Sequence, residues 1–329
     1  MRPIVKTLFL FFFVFLAAKA AFADEFVKGV YPATPPSSFT LYAFDPELLG
    51  AWDTPLYPYE KGFIPEKYHN LPILGGWYGQ GFTPDREMLL ASGLKKAFFL
   101  ENSFFNADRI RATLEEMGIE LLAVQDGLEA TPLAFRRMGE LFNRQKRGEE
   151  LARYAEKALN SLKPLNALTQ KPRVYLALEA DGLGSSCPGE GRSRFIDFAG
   201  AQNALTCDGP IKPGRPRISF EELMALNPDV IVAGSYPLKK IIDQEDRWRR
   251  LRAVQEGRVY LLPRGPFSWN GHPTLTGLMG AKWLGHVLWP DLAPLDLVAA
   301  TDEFNRLFFR VEMTKNEVLE FLNPALAER

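Results

Sequence analysis

The chain has 329 residues, 47% of them hydrophobic, and a formal net charge of −1. That balance excludes the strongly basic face expected of a nucleic-acid binder. The length exceeds what one core usually organises, so two lobes are expected.

Residues 1–23 read as a secretory signal peptide. Arg2 and Lys6 form a positive start, "LFLFFFVFLAA" (8–18) is an uncharged apolar run, and "AFA" (21–23) is a small-x-small cleavage signal before Asp24. The run is shorter than the roughly 20 residues a spanning helix needs. No cysteine follows closely, so the expectation is an exported, soluble chain that is not a lipoprotein. Cleavage would remove three of the 39 basic residues, leaving 36 against 40 acidic ones, a net −4.

The N-terminal lobe is expected over 24–146. Residues 24–40 read as an extended, Pro- and Ser-rich lead-in. "FTLYAFDPELLGAWD" (39–53) starts strand-like and turns helical at Asp45-Pro46, a cap followed by a first-turn proline. "LPILGGWYGQGF" (71–82) is a short strand ending in a glycine-rich loop. A capped helix at 83–93, a strand at 94–101, an amphipathic helix at 108–118 and a strand at 119–125 follow. From Pro132 to about Leu165 the pattern is helical throughout, with Leu151, Tyr154, Ala155, Ala158 and Leu162 on one stripe. Residues 147–166 are the segment expected to join the lobes.

The C-terminal lobe, 167–329, repeats the alternation. Strands are expected at 173–178, 228–235 and 258–263, and helices at 194–204, 219–227, 248–257, 274–290 and 302–312. Strands alternating with helices imply an α/β fold with largely parallel sheets. In such sheets ligands bind beyond the carboxyl ends of strands. The loops there carry Trp77 and Tyr78 in a glycine frame, Arg192 and Arg194 beside Ser193, Tyr236, and Trp269 and His272 in "PFSWNGHP" (266–273).

Enzyme signatures are weak. "GSSCPGEG" (184–191) has the glycine spacing of a phosphate loop, but Glu190-Gly191 stand where Lys-Ser/Thr is needed. There is no G-x-S-x-G, H-E-x-x-H or C-x-x-C. Of three histidines, His286 sits at helical spacing from Trp283 and Trp289 and reads as packing, and His69 reads as an exposed loop residue. His272 is then the one candidate base, and an exported hydrolase using it is the alternative reading. Trp77 and Tyr78 are candidate stacking groups, with an aromatic plug over the core as the competing reading. Arg192 and Arg194 are either an anion grip or solvated arginines beside a cap. Cys187 and Cys207 are compatible with a disulfide in an exported chain or with two reduced thiols.

Several stretches occur in an order that resembles one family. They are "LYAFDPELLGAWD", "LPILGGWYGQGF…REMLL", "DGLG…FIDFAGAQNAL", "ISFEELMALNPDVIVAG", "W..LRAVQEGRVYLLP", "GLMGAKWLGHVLWPD" and "EFNRLFF". Together, over about residues 39–310, they resemble the iron-siderophore/cobalamin family of ABC-transporter substrate-binding proteins, the class with a helical backbone. The resemblance implies two Rossmann-like α/β lobes joined by a single long α-helix, a ligand cleft between the lobes, a periplasmic location and a monomeric state. It implies transport rather than catalysis, with no resident cofactor, and partnership with an inner-membrane permease and ATPase. Glu87 and Glu221 fall where the family carries its permease-docking glutamates. Two departures stand out: "ASGLKKAFFL" lacks the Pro-Asp pair usual before that strand, and "NGHP" replaces an Asp-Arg-Pro-Pro-like stretch.

On this reading the ligand is a metal chelate. A ferric siderophore comes first, then haem, a corrinoid, a nickel or cobalt chelate, or an oxyanion such as molybdate. Trp77, Tyr78, Tyr236 and Trp269 would pack on it, Arg192 would supply the cation, and His272 would ligate the metal or donate a hydrogen bond.

Overall fold

The computed structural model describes residues 29–78, 83–102, 106–207, 216–264, 267–271 and 274–322. The expected signal peptide lies outside the described residues, and so do Pro266, His272 and Pro273. Two units are present: residues up to Pro55 with Asn70–Ala123, and Leu56–His69 with Val124 onward.

The first unit contains a three-stranded sheet in the order β1 (Tyr31–Pro32), β2 (Lys96–Glu101), β3 (Glu120–Gln125). β1 runs parallel to β2, with Tyr31 opposite Ala97. Its helices are α1 (Pro35–Phe44), α2 (Arg86–Ala91) and α3 (Ala107–Glu116). α2 and α3 start where caps predict: Asp85 accepts from the Glu87 and Met88 amides, and Asn106 accepts from the Arg109 amide. α1 corrects the strand-like reading of residues 39–44. Pro35 and Pro36 occupy the first turn, where no N–H is needed. The helix is buried nearly all round, so it carries no 3.6-residue polar stripe to betray it. The strand expected at 71–74 is only a bridge, Trp52 to Ile73. The core gathers Tyr31, Leu74, Leu89, Phe99 and Leu114.

The second unit begins its regular structure with α4 (Thr131–Leu141) and α5 (Gln145–Asn166). The long helical run is thus two helices, broken at Asn143, whose φ is 53°. The helix expected at 147–166 is present as α5. It packs on α4 and on two later helices of the same unit. The first unit accordingly ends at Ala123 rather than at residue 146, because α4 buries Phe135 against Phe308 of the second unit. Residues 56–69 also belong there, with Phe63 against Phe321.

The sheet of the second unit has the order β5 (Gln202–Asn203), β4 (Arg173–Ala177), β6 (Val230–Ala233), β7 (Val259–Leu261), every pair parallel. Val174 faces Val230, and Ala233 faces Leu261. Around it lie α6 (Arg194–Phe198), α7 (Phe220–Leu226), α8 (Tyr236–Gln244), α9 (Thr274–Leu288), α10 (Leu297–Phe304) and α11 (Lys315–Leu322). α7 starts with the capping box of Ser219 and Glu222. α8 and α11 were not legible as helices: "GSYP", which spans the start of α8, carries turn signals, and α11 is short. The parallel α/β architecture is the one the alternation predicts.

Candidate functional site

In the first unit a polar cluster forms where β1 ends. β1 delivers Ala33 and Thr34 to the start of α1, and the chain returns at Asp53. Loop 75–78 is pinned over this point. The Tyr31 hydroxyl donates to the Gly75 carbonyl at 2.9 Å, and the Trp77 amide donates to the Ala33 carbonyl at 2.9 Å. Gly76 is required by close approach, since a Cβ there would sit 3.0 Å from the Ala33 oxygen and 3.1 Å from the Asp53 Cβ. The Ser38 hydroxyl donates to Asp53 Oδ1, and the Tyr78 hydroxyl donates to the Asp53 backbone carbonyl.

Asp53 is 1% exposed, and its Oδ2 is buried with no hydrogen-bond partner among the described residues. Burial pushes its carboxyl up from the usual 3.8 to about 6, against the lowering effect of hydrogen bonds from Ser38, Tyr78 and nearby amides. Burial first, then the neighbouring Asp53 charge, raises the Tyr78 phenol as well. Tyr78 is half-buried. Trp77, expected to stack on a ligand, is instead a core ring only 7% exposed, with its centroid 6.4 Å from that of Tyr31.

In the second unit the loop after β4 is closed by a disulfide. Cys187 and Cys207 are bonded, with Cα atoms 5.8 Å apart, which decides between the two readings of these residues. Glu190, in the place a phosphate loop gives to lysine, turns inward. Its carboxylate accepts from the Cys187 amide at 2.8 Å and from the Ser186 hydroxyl. Ser193 donates to the Cys187 carbonyl at 2.5 Å. This small clasp presents Arg192, half-buried, at the end of the loop. Arg194 is no anion grip: its guanidinium pairs with Glu129 and lies 3.8 Å from Asp197. Tyr236, half-buried, is the first residue of α8, and the Lys240 ammonium is 4.6 Å from its ring centre.

The 267–271 stretch packs on α9. The Trp269 carbonyl approaches Gly280 so closely that a Cβ at 280 would lie 1.9 Å from it. Gly271 has φ 86°, and a Cβ there would be 2.5 Å from the Gly191 carbonyl. Trp269 is fully buried against Phe321, at 5.8 Å between centroids, with its indole N–H unpartnered among the described residues. The expectation that Trp269 gives contact area to a ligand therefore fails; bulk and apolar character drew it into the core. His286 Nδ1 lies 3.1 Å from the Ala293 carbonyl, and His69 is half-buried, its Nε2 near the Ile64 carbonyl at 2.5 Å, rather than exposed. Glu87 and Glu221 are exposed first-turn residues of α2 and α7. Among the described residues no three His, Cys, Asp or Glu side chains gather as a metal site, and no helix is long and apolar enough to cross a membrane.

Residues 104–265 match the model of the periplasmic binding protein family. The match spans just under half of the chain. Members of that family are transport substrate-binding proteins, not enzymes. A solute-binding protein of an ABC transporter from Sulfurospirillum deleyianum is 28% identical to this chain. The two structures align with a TM-score of 0.83 over 91% of this chain and 94% of that one. The molybdate-binding protein MolA of Haemophilus influenzae is 27% identical over 195 residues, 57% of this chain. The match spans about half of that relative, 53% of its length. The vitamin B12-binding protein BtuF of Vibrio cholerae, 19% identical, shares the fold, with a TM-score of 0.63 over 79% of this chain and 96% of that one.

Sequence reasoning missed Asp53 and Ser38. The available signal was a carboxylate closing the apolar run "LLGAWD", with no basic residue near it in the chain.

Proposed function

We propose that this chain captures a small metal-containing anion in the periplasm and delivers it to an ABC permease and its ATPase. The observation that carries the reading is which residues occupy the strand-end loops. Tyr78, Arg192 and Tyr236 are half-buried there, whereas Trp77 and Trp269 have gone into the cores. Loops that keep one guanidinium and two phenols half-buried, with the two indoles withdrawn into the cores, suit a compact anion better than a large apolar ligand. A molybdate-like oxyanion is the first reading, supported by the likeness to a molybdate-binding protein. A ferric siderophore is the second, favoured by the two phenols. Arg192 supplies the charge, Tyr236 donates a hydrogen bond, Tyr78 packs its ring on the ligand, and His272 adds a donor or a metal ligand. Glu87 and Glu221 dock to the permease; Met88 and Leu90 beside Glu87 are 48% and 54% exposed, surface suited to a partner. The first 23 residues act as the cleaved leader.

Calorimetric titration with sodium molybdate, and separately with a ferric tris-catecholate, tests the ligand. One-to-one binding of molybdate that Arg192→Ala weakens at least tenfold supports the first reading. Binding of the tris-catecholate alone moves the assignment to the second. Ester turnover abolished by His272→Ala would overturn both in favour of a hydrolase.

A further inference from the structure

We propose that Asp53 is a positioning residue: its protonation state sets where the Tyr78 hydroxyl points, and so makes the contact that Tyr78 offers a ligand dependent on pH. The ligand half of this rests on the reading of Tyr78 given above.

The argument starts from proton count. A tyrosine hydroxyl has one proton to donate. Here it goes to the Asp53 backbone carbonyl, while the hydroxyl also lies beside the Asp53 side chain. A carboxylate is a stronger acceptor than a carbonyl. When Asp53 is neutral, the carbonyl keeps the Tyr78 proton. When Asp53 ionises, the carboxylate competes for it, and the tip of the ring must follow.

The surroundings make that competition decisive. The titratable groups that bear on Asp53 are the phenols of Tyr31, from β1, and Tyr78, from the glycine loop. α1 offers the Ser38 hydroxyl, and Gly76 brings no side chain at all. No cation stands among the groups that shift Asp53 to offset its charge. The ionised form has the Ser38 hydroxyl on Oδ1 and the nearby amides of Asp53 and Thr54, while Oδ2 has no hydrogen-bond partner among the described residues, which makes the Tyr78 proton its nearest remedy. The rest of loop 75–78 is held independently, through Tyr31 to Gly75, Trp77 to Ala33, and the fit of Gly76. Movement is thus confined to Tyr78. A purely structural residue here would not need to be an acid, since an asparagine or serine would satisfy Ser38 without a buried charge.

The test uses the full mature chain labelled with 3-fluorotyrosine and followed by fluorine NMR from pH 4.5 to 8.5 without ligand. The Tyr78 resonance is assigned by its loss in Tyr78→Phe. The expected result is a chemical shift that titrates with a midpoint of about 6, is flat in Asp53→Asn, and moves to a higher midpoint in Ser38→Ala, which removes a donor to the carboxylate. A flat Tyr78 resonance in the wild-type chain overturns the proposal, and so does a titration that survives Asp53→Asn. Ser38→Ala keeps the test decisive if Asp53→Asn folds poorly. Because the readout needs no ligand, failure of molybdate to bind overturns the ligand assignment alone.

Discussion

Replacing Asp53 by asparagine isolates the cost of a buried charge, because the amide keeps the shape and a partner for Ser38. The displacement of the Asp53 carboxyl from 3.8 to about 6 corresponds to about 3 kcal/mol between its two protonation states. The folded value lies above the unfolded one. The neutral acid therefore costs nothing extra below about pH 4, and the penalty grows as pH rises from there through about 6. Wild-type stability in the first unit should fall by about 3 kcal/mol across that window, relative to Asp53→Asn, and level off above it. Two units make whole-chain melting an unsafe readout. Hydrogen exchange of peptides covering β2, at pH 4 and pH 7.5 and corrected for intrinsic rates, reports the opening free energy of this unit directly. The difference between the two proteins should widen by about 3 kcal/mol between the two pH values. Parallel behaviour of the two proteins would refute the reasoning.

Other outcomes follow from the same geometry. Gly280→Ala places a methyl 1.9 Å from the Trp269 carbonyl, a backbone atom that must shift; a loss of roughly 1–3 kcal/mol should appear as a lowered urea midpoint for the second unit. Cys187→Ser with Cys207→Ser opens a link between residues 20 apart; loop-closure entropy sets the loss at about 3 kcal/mol, and calorimetry should show a lower Tm for that unit only. Arg192→Ala should weaken molybdate binding at least tenfold, measured by calorimetric titration, while leaving the Tm unchanged. Glu87→Arg with Glu221→Arg should leave ligand affinity intact and abolish uptake in a reconstituted transporter assay.

The alternation of strands and helices was readable because buried parallel strands such as "DVIVA" and capped helices such as "SFEELMA" carry local signals. α1 was not, because a helix buried on nearly every face has no polar period. The boundary between units was misplaced because what decides it is the contact of α4 and Phe63 with residues near the C-terminus, which no local pattern records. The same limit governs the site. Composition and position marked Tyr78, Arg192 and Tyr236 as strand-end residues, and the structure leaves all three half-buried, although the strand expected before Tyr78 is only a bridge. It also marked Trp77 and Trp269, but an indole beside glycines packs inward as readily as outward, and both did. Asp53 became visible only when the fold closed Ser38, Gly76 and Tyr78 around it.

The central claim is that the chain carries a small metal-containing anion rather than catalysing a reaction. Native mass spectrometry of the protein released from its own periplasm, paired with elemental analysis of the same sample, tests it most directly. The account predicts one adduct per chain, of oxyanion or chelate mass, with a matching metal signal that Arg192→Ala depletes. A chain that emerges repeatedly as the bare mature mass, with no metal and with ester turnover, would contradict it.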